Sequence, residues 1–133
     1  MMYALDANII SYLLRGNDSI IEKWRYERTI GNQSTIPIVA YYEVKRGLIA
    51  SKATTKLKAL EELCEAIGII EFTIQDADTS SSIYGKLKVN GNLIDDADIL
   101  IAAQAINRGH TLVTNNAKHF DRVDDLDIVN WTE

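Results

Sequence analysis

One stretch of the chain joins a cluster of acids directly to an apolar segment with helical spacing, Ile94-Asp-Asp-Ala-Asp-Ile-Leu-Ile-Ala-Ala103. Asp95 or Asp96 can cap the exposed N–H groups of such a helix, whose positive end keeps Asp98, in the first turn, ionised. The stretch therefore predicts a helix that begins beside a carboxylate able to bind a cation. Capping alone accounts equally well for all three acids, because acids are common at helix starts.

Two isolated acids elsewhere, Asp6 and Glu43, lie in apolar surroundings. Asp6 ends the short apolar run 2–6, which is typical of a buried strand, and open α/β sheets bind ligands at the carboxyl ends of their strands. Glu43 lies at the edge of the apolar stripe of a predicted helix, where a carboxylate needs a partner. That partner is either a metal ion or one of the neighbouring cations, Lys45 and Arg46.

The overall composition limits the class of protein. The length of 133 residues predicts a single domain over residues 1–133. The content of 47% hydrophobic and 25% charged residues is typical of a soluble globular protein. No apolar run approaches the roughly 20 residues that span a bilayer, and no signal peptide is apparent, so we expect a cytoplasmic protein without a membrane partner. The net charge of −5 argues against non-specific nucleic-acid binding. The single cysteine, Cys64, excludes an internal disulfide and is expected to pack in the core.

Strand and helix patterns alternate along the chain. Strands are predicted at 2–6, 34–38, 69–73, 111–114 and 127–130, and helices at 8–14, 20–30, 39–49, 52–66, 76–89 and 95–107. This order predicts an α/β fold in three layers, with a mainly parallel sheet of four to five strands covered on both faces. Because the carboxyl ends of parallel strands meet at one edge, we expect Asp6, Asp98 and the Thr114-Asn-Asn116 turn to converge.

Such a set of oxygen ligands favours Mg²⁺, with Mn²⁺ as a substitute. A bound ion of this kind lowers the pKa of a water molecule and stabilises charge that develops at a phosphorus centre. Because several acids around one site repel each other without the ion, we expect activity to depend on the metal. The two histidines, His110 and His119, follow turns beside polar residues, which favours surface or capping roles.

Positive charge is concentrated in the predicted helix 20–30, which carries Lys23, Arg25 and Arg28 beside Trp24 and Tyr26. A cluster of basic and aromatic side chains can grip phosphates and stack on bases. A solvated helix face with one packed aromatic side chain is the competing interpretation. Together with the basic pair at 45–46, these are the densest candidates for contacts with RNA.

Four motifs together resemble the PIN-domain ribonucleases, and within them the VapC-type toxins. The motifs are Leu5-Asp-Ala-Asn-Ile-Ile10, Tyr42-Glu-Val-Lys-Arg-Gly47, Asp98-Ile-Leu-Ile-Ala-Ala103 and Leu112-Val-Thr-Asn-Asn116, followed by Phe120 and Trp131. The resemblance implies a metal-dependent endoribonuclease that cuts structured RNA, often tRNA. It also implies a homodimer that a cognate VapB-type antitoxin holds inactive, and that reaches operator DNA only through the antitoxin.

The resemblance assigns roles to individual residues. Asp6, Glu43 and Asp98 fall on the three central acids of the family, which bind the metal. Asn116 falls where many PIN domains carry a fourth acid, and Thr114 falls on the accompanying hydroxyl. The amide at Asn116 departs from the wider family, which puts a tightly held second metal in doubt.

Two other functions fit parts of the pattern. A haloacid-dehalogenase-type phosphatase also begins with an aspartate at a strand end, but it needs a second acid two positions later, where this chain has Asn8. A PIN-like domain that binds RNA or a protein without cutting is the other alternative. Cleavage of RNA with added Mg²⁺ or Mn²⁺ would distinguish an enzyme from such a binding module.

Overall fold

The structure is a computed structural model that describes residues 1–132. Its five strands form one sheet in the order β3-β2-β1-β4-β5, and every neighbouring pair is parallel. The strands are β1 (Met2–Leu5), β2 (Gln33–Pro37), β3 (Ile69–Ile70), β4 (Thr111–Val113) and β5 (Ile128–Val129). This sheet confirms the predicted α/β fold.

Seven helices connect the strands of the described chain. They are α1 (Ala7–Leu14), α2 (Asp18–Thr29), α3 (Ile38–Ala50), α4 (Thr54–Ile67), α5 (Ile74–Val89), α6 (Asp96–Arg108) and α7 (Ala117–Phe120). None of them is both long enough and apolar enough to cross a bilayer. Cys64 of α4 is half-buried and packs against the core, as expected.

The strand order places a functional crevice at a defined point. In the sheet, β2 and then β3 lie on one side of β1, and β4 and then β5 lie on its other side. Since crossovers between parallel strands are right-handed, this reversal puts helices on both faces of the sheet. Ligands of open α/β sheets bind where the order reverses, which here is between the ends of β1 and β4.

The core lies around these two central strands. Ala4 and Leu5 of β1, and Leu112 and Val113 of β4, are fully buried. Such continuous apolar runs are typical of parallel strands that are covered on both faces. The residues that directly follow the two strands are therefore fixed by a rigid framework.

The third strand is shorter than predicted. It ends at Ile70 rather than at residue 73, because Thr73 is the N-cap of α5. The Thr73 hydroxyl accepts from the backbone N–H of Asp76, and the Asp76 carboxylate accepts from the backbone N–H of Thr73. This reciprocal pair is a capping box, and it begins the helix two residues earlier than the predicted residue 76.

Candidate active site

Asp6 lies at the junction of β1 and α1 and is only 4% exposed. Its Oδ1 accepts a hydrogen bond of 2.8 Å from the backbone N–H of Ala7, and its Oδ2 accepts one of 2.8 Å from the Thr114 hydroxyl. The Thr114 oxygen in turn accepts from the backbone N–H of Asn116 at 3.0 Å. This chain of bonds fixes Asp6 across the crevice between β1 and β4.

Asp98 lies in the first turn of α6, and its Oδ2 is 2.9 Å from Nδ1 of His119. The side-chain nitrogen of Asn116 is also 2.9 Å from that Nδ1. Asp98, Asn116 and His119 therefore meet at one point. His119, for which a surface or capping role was expected, is partly exposed but also contacts Asp98, because α7 turns its ring toward the acids.

The other two acids of α6 behave differently from the expectation. Asp95 occupies the N-cap position, but within the described residues its side chain accepts no capping hydrogen bond. Carboxylate oxygens of Asp95 and Asp98 and a ring nitrogen of His119 lie within 4.8 Å of one another. Asp96 borders a separate pocket with Ser80. Asp95 therefore occupies the expected cap position without a capping bond from its side chain, and its carboxylate lies beside Asp98 and His119.

Glu43 projects from α3 toward the same cluster. Burial raises its pKa above the ordinary value, and the charges of Asp6 and Asp98 raise it further. Arg46 lies 3.9 Å away and lowers the pKa, but it does not offset the other contributions. Arg46, one of the partners that the sequence offered for Glu43, is thus present. Its positive charge does not fully compensate the negative charge of the Glu43 carboxylate.

The negative charge of Asp6 is also incompletely compensated. Burial raises the pKa of Asp6, and the charge of Asp98 adds to this, although the hydrogen bonds from Thr114 and Ala7 act in the opposite direction. Among residues 1–132, no lysine or arginine forms an ion pair with Asp6 or Asp98. Carboxylate oxygens with surplus negative charge are the donor set that Mg²⁺ or Mn²⁺ prefers, so the residues fit such an ion.

Comparison with known proteins identifies the family. The family model described as "PIN domain" matches residues 3–126. The chain belongs to the PIN-domain family. Ribonuclease VapC1 of Haemophilus influenzae (strain R2866) is 28% identical over 134 residues, which span 100% of both proteins. The tRNA(fMet)-specific endonuclease VapC of Shigella flexneri is 25% identical over 99% of both.

A solved structure agrees with this family. The chain is similar to one in the crystal structure of VapBC2 from Rickettsia felis bound to a DNA fragment from their promoter. The TM-score is 0.90 at 28% identity, and the match covers 98% of this chain and 99% of that chain. The PIN-domain match confirms the family that the sequence motifs indicated.

The basic residues of this PIN domain are not all near the acids. Arg28 packs over the Trp24 ring, 4.8 Å from its centre, and borders a pocket with Gln33 at the amino end of β2. That end is the edge of the sheet opposite Asp6. Lys23 pairs with Glu27 at 3.7 Å.

Two further basic residues, which the sequence patterns did not single out, line one pocket. Arg15 and Lys56 border an open pocket of about 340 Å³ together with Asn8, two residues after Asp6. They come from α1 and α4, so only the folded chain brings them together. Lys45, by contrast, turns to the Tyr41 hydroxyl at 2.8 Å rather than to Glu43.

Proposed function

We propose that this PIN domain is a metal-dependent endoribonuclease, the toxin of a VapBC-type toxin–antitoxin system, and that it cuts structured RNA, in particular tRNA. The observation that carries the proposal is the incompletely compensated acid cluster at the switch point of the sheet. There the pKa values of Asp6 and Glu43 are raised, and Asp98 faces both acids. The names of the VapC relatives support the same activity.

The residues divide into those that would hold the ion and those that orient them. Asp6, Glu43 and Asp98 would hold Mg²⁺, or Mn²⁺ in its place. When bound, such an ion lowers the pKa of a water molecule and stabilises charge on a phosphodiester. Thr114 orients Asp6 through its 2.8 Å hydrogen bond. Asn116 brings a neutral amide to the cluster, where it can donate to a phosphate oxygen without adding negative charge.

The partners are proposed on the same basis. Solved relatives are VapBC complexes, one of them with promoter DNA, which supports a VapB-type antitoxin as the partner. With a net charge of −5, this chain offers little attraction to DNA by itself, so we propose that it reaches its operator only through the antitoxin. We also propose a homodimer that works in the cytoplasm.

Cleavage of a structured RNA tests the proposed activity. The chain should cut tRNA with Mg²⁺ or Mn²⁺ and should stop when the metal is chelated. Asp98→Asn should lower the rate at least about 10²-fold, because the metal supplies several kcal/mol of charge stabilisation. Asp96→Asn is the matched control, since it makes the same change two positions away in the same helical turn, at a side chain that borders another pocket.

Three results would contradict the proposal. Cleavage that survives chelation would exclude the metal mechanism. Equal rates for Asp98→Asn and Asp96→Asn would show that the acid cluster is not the site. An unmodified chain that binds tRNA but never cuts it with either metal would favour the binding module.

A further inference from the structure

Arg15 and Lys56 bring two positive charges to one pocket. Arg15 ends α1, and Lys56 lies in the first turn of α4. In the part of the chain that the structure describes, neither side chain forms an ion pair with a carboxylate. Their charges therefore remain available for an anion from outside the chain.

The pocket surrounds these charges with both polar and apolar groups. Asn8 and Ser11 contribute the polar groups, and Leu14 and Leu48 contribute the apolar ones. Its volume of about 340 Å³ lies within the range of roughly 300–1,000 Å³ that is typical of ligand pockets. A phosphate group with its attached ribose has the mixture of charge and carbon surface that these walls match.

The first turn of α1 connects the pocket to the acid cluster. Asn8 borders the pocket and follows Asp6 by two residues, so their Cα atoms are at most about 7.6 Å apart, two steps of 3.8 Å. The Asn8 amide also donates to Oδ1 of Asn115 at 3.2 Å. Asn115 directly follows Thr114, whose hydroxyl donates to Asp6. An RNA strand with one phosphodiester at the acids can therefore place a neighbouring phosphate in the pocket.

The guanidinium of Arg15 is positioned by the same turn. It lies over the Tyr12 ring, 4.9 Å from its centre. The Tyr12 hydroxyl accepts a hydrogen bond of 3.2 Å from Nδ2 of Asn115, which ties the ring to the segment that orients Asp6. A stacked guanidinium keeps its N–H groups at the edge of its plane, where they can bind two oxygens of one phosphate.

We infer that Arg15 and Lys56 bind a phosphate of the RNA strand next to the bond that is cut. The inference rests on the proposed function, because it adds a substrate contact to the same reaction. The two cations attract an anion, and they would repel a basic antitoxin segment that approaches the acids. The charges therefore favour RNA as the occupant of this pocket.

Binding of labelled tRNA across a salt series tests the inference. Every protein in the series carries Asp98→Asn, so that the tRNA stays intact. Arg15→Gln/Lys56→Gln should reduce the slope of log affinity against log salt by about one to two units, because each lost phosphate contact removes roughly one. Since the binding curves converge near about 1 M salt, the affinity at about 0.1 M should fall roughly 10- to 100-fold.

Lys58→Gln/Lys88→Gln is the matched control. It also removes two positive charges, from exposed side chains of α4 and α5 that lie outside the pocket. The slope should change much less in this variant, because salt screens charges that are distant from the RNA.

A second variant separates the charge of the pocket from its local structure. Arg15→Lys/Lys56→Arg keeps both positive charges in the pocket, so it should retain most of the slope. Unfolding by urea establishes that every variant is folded before its binding is interpreted.

Three results would overturn the inference. The first is an unchanged slope in Arg15→Gln/Lys56→Gln, which would leave the pocket to an acidic segment of a protein partner. The second is an equal loss in the two glutamine variants, which would show that only net charge matters. The third is a chain that does not bind tRNA at any salt concentration. The proposed nuclease is tested separately, because its readout is cleavage by the chain that retains Asp98.

Discussion

Asp76, in the first turn of α5, and Asp6, at the end of β1, are both almost completely buried, but only Asp76 has a cation of the protein as its partner. Arg108 donates to both carboxylate oxygens of Asp76, at 2.9 and 3.0 Å, and Asn107 adds a bond of 2.8 Å. Although burial raises the pKa of Asp76, these bonds outweigh it and hold the pKa at about 2.

Asp6 has two hydrogen bonds and no such cation, and it faces a second acid, Asp98. The shift of its pKa has the opposite sign, since burial and the charge of Asp98 raise it. The same chain thus compensates one buried carboxylate completely and leaves another in need of positive charge. This difference supports the proposal that Asp76 is structural, whereas the Asp6 cluster binds a cation from solution.

Removing the cation of Asp76 should have the largest effect on stability. Arg108→Met leaves a buried carboxylate without its partner, which typically costs about 3–5 kcal/mol of the free energy of unfolding. Arg46→Met is the matched control, because its ion pair with Glu43 is 3.9 Å long and largely exposed. The control should cost less than about 1 kcal/mol. Urea unfolding of both variants gives the two values, and equal losses would contradict the distinction between the sites.

The two kinds of buried carboxyl group should change the free energy of unfolding in opposite directions as the pH falls. Asp76 has a lowered pKa, so it stabilises the fold above the ordinary carboxyl value of 3.8, and this is lost as the pH falls toward about 2. The loss is roughly 2 kcal/mol. Asp6 and Glu43 have raised pKa values, so their ionised forms destabilise the metal-free fold, and this cost disappears as the pH falls through those values.

Urea unfolding in metal-free buffer across acidic pH measures both contributions. Glu43→Gln should reduce the gain in stability on mild acidification and should leave the loss at lower pH in place. An unfolding free energy that falls steadily from neutral pH, in both the unmodified chain and Glu43→Gln, would show that the acid cluster carries no electrostatic cost.

The sequence predicted those parts of the site that depend on strand topology. Asp6 and Thr114 each follow an apolar strand, and parallel strands bring their carboxyl ends to one edge, so their meeting could be expected. Asp98 could be placed at a helix start from its own neighbours. The boundaries of α5 were less accurate, although Thr73 and Asp76 have the spacing of a capping box.

Contacts between distant side chains could not be predicted in the same way. His119 and Asp98 are 21 positions apart, and nothing in the local pattern of the four-residue α7 indicates which way the ring turns. Arg108 and Asp76 are 32 positions apart and meet only because α5 packs along α6. In both cases the tertiary packing of helices decides the contact, and periodicity carries no information about it.

The effect of Mn²⁺ on stability tests most directly whether the acid cluster is a cation site. At ten times its dissociation constant, Mn²⁺ should add about 1.4 kcal/mol to the free energy of unfolding, because it binds the folded chain alone. Mn²⁺ should raise the free energy of unfolding of Asp98→Asn much less, and it should raise that of Asp96→Asn as much as that of the unmodified chain. An unmodified chain that unfolds identically with and without millimolar Mn²⁺, or an Asp98→Asn variant that gains equally, would contradict the assignment of the cluster.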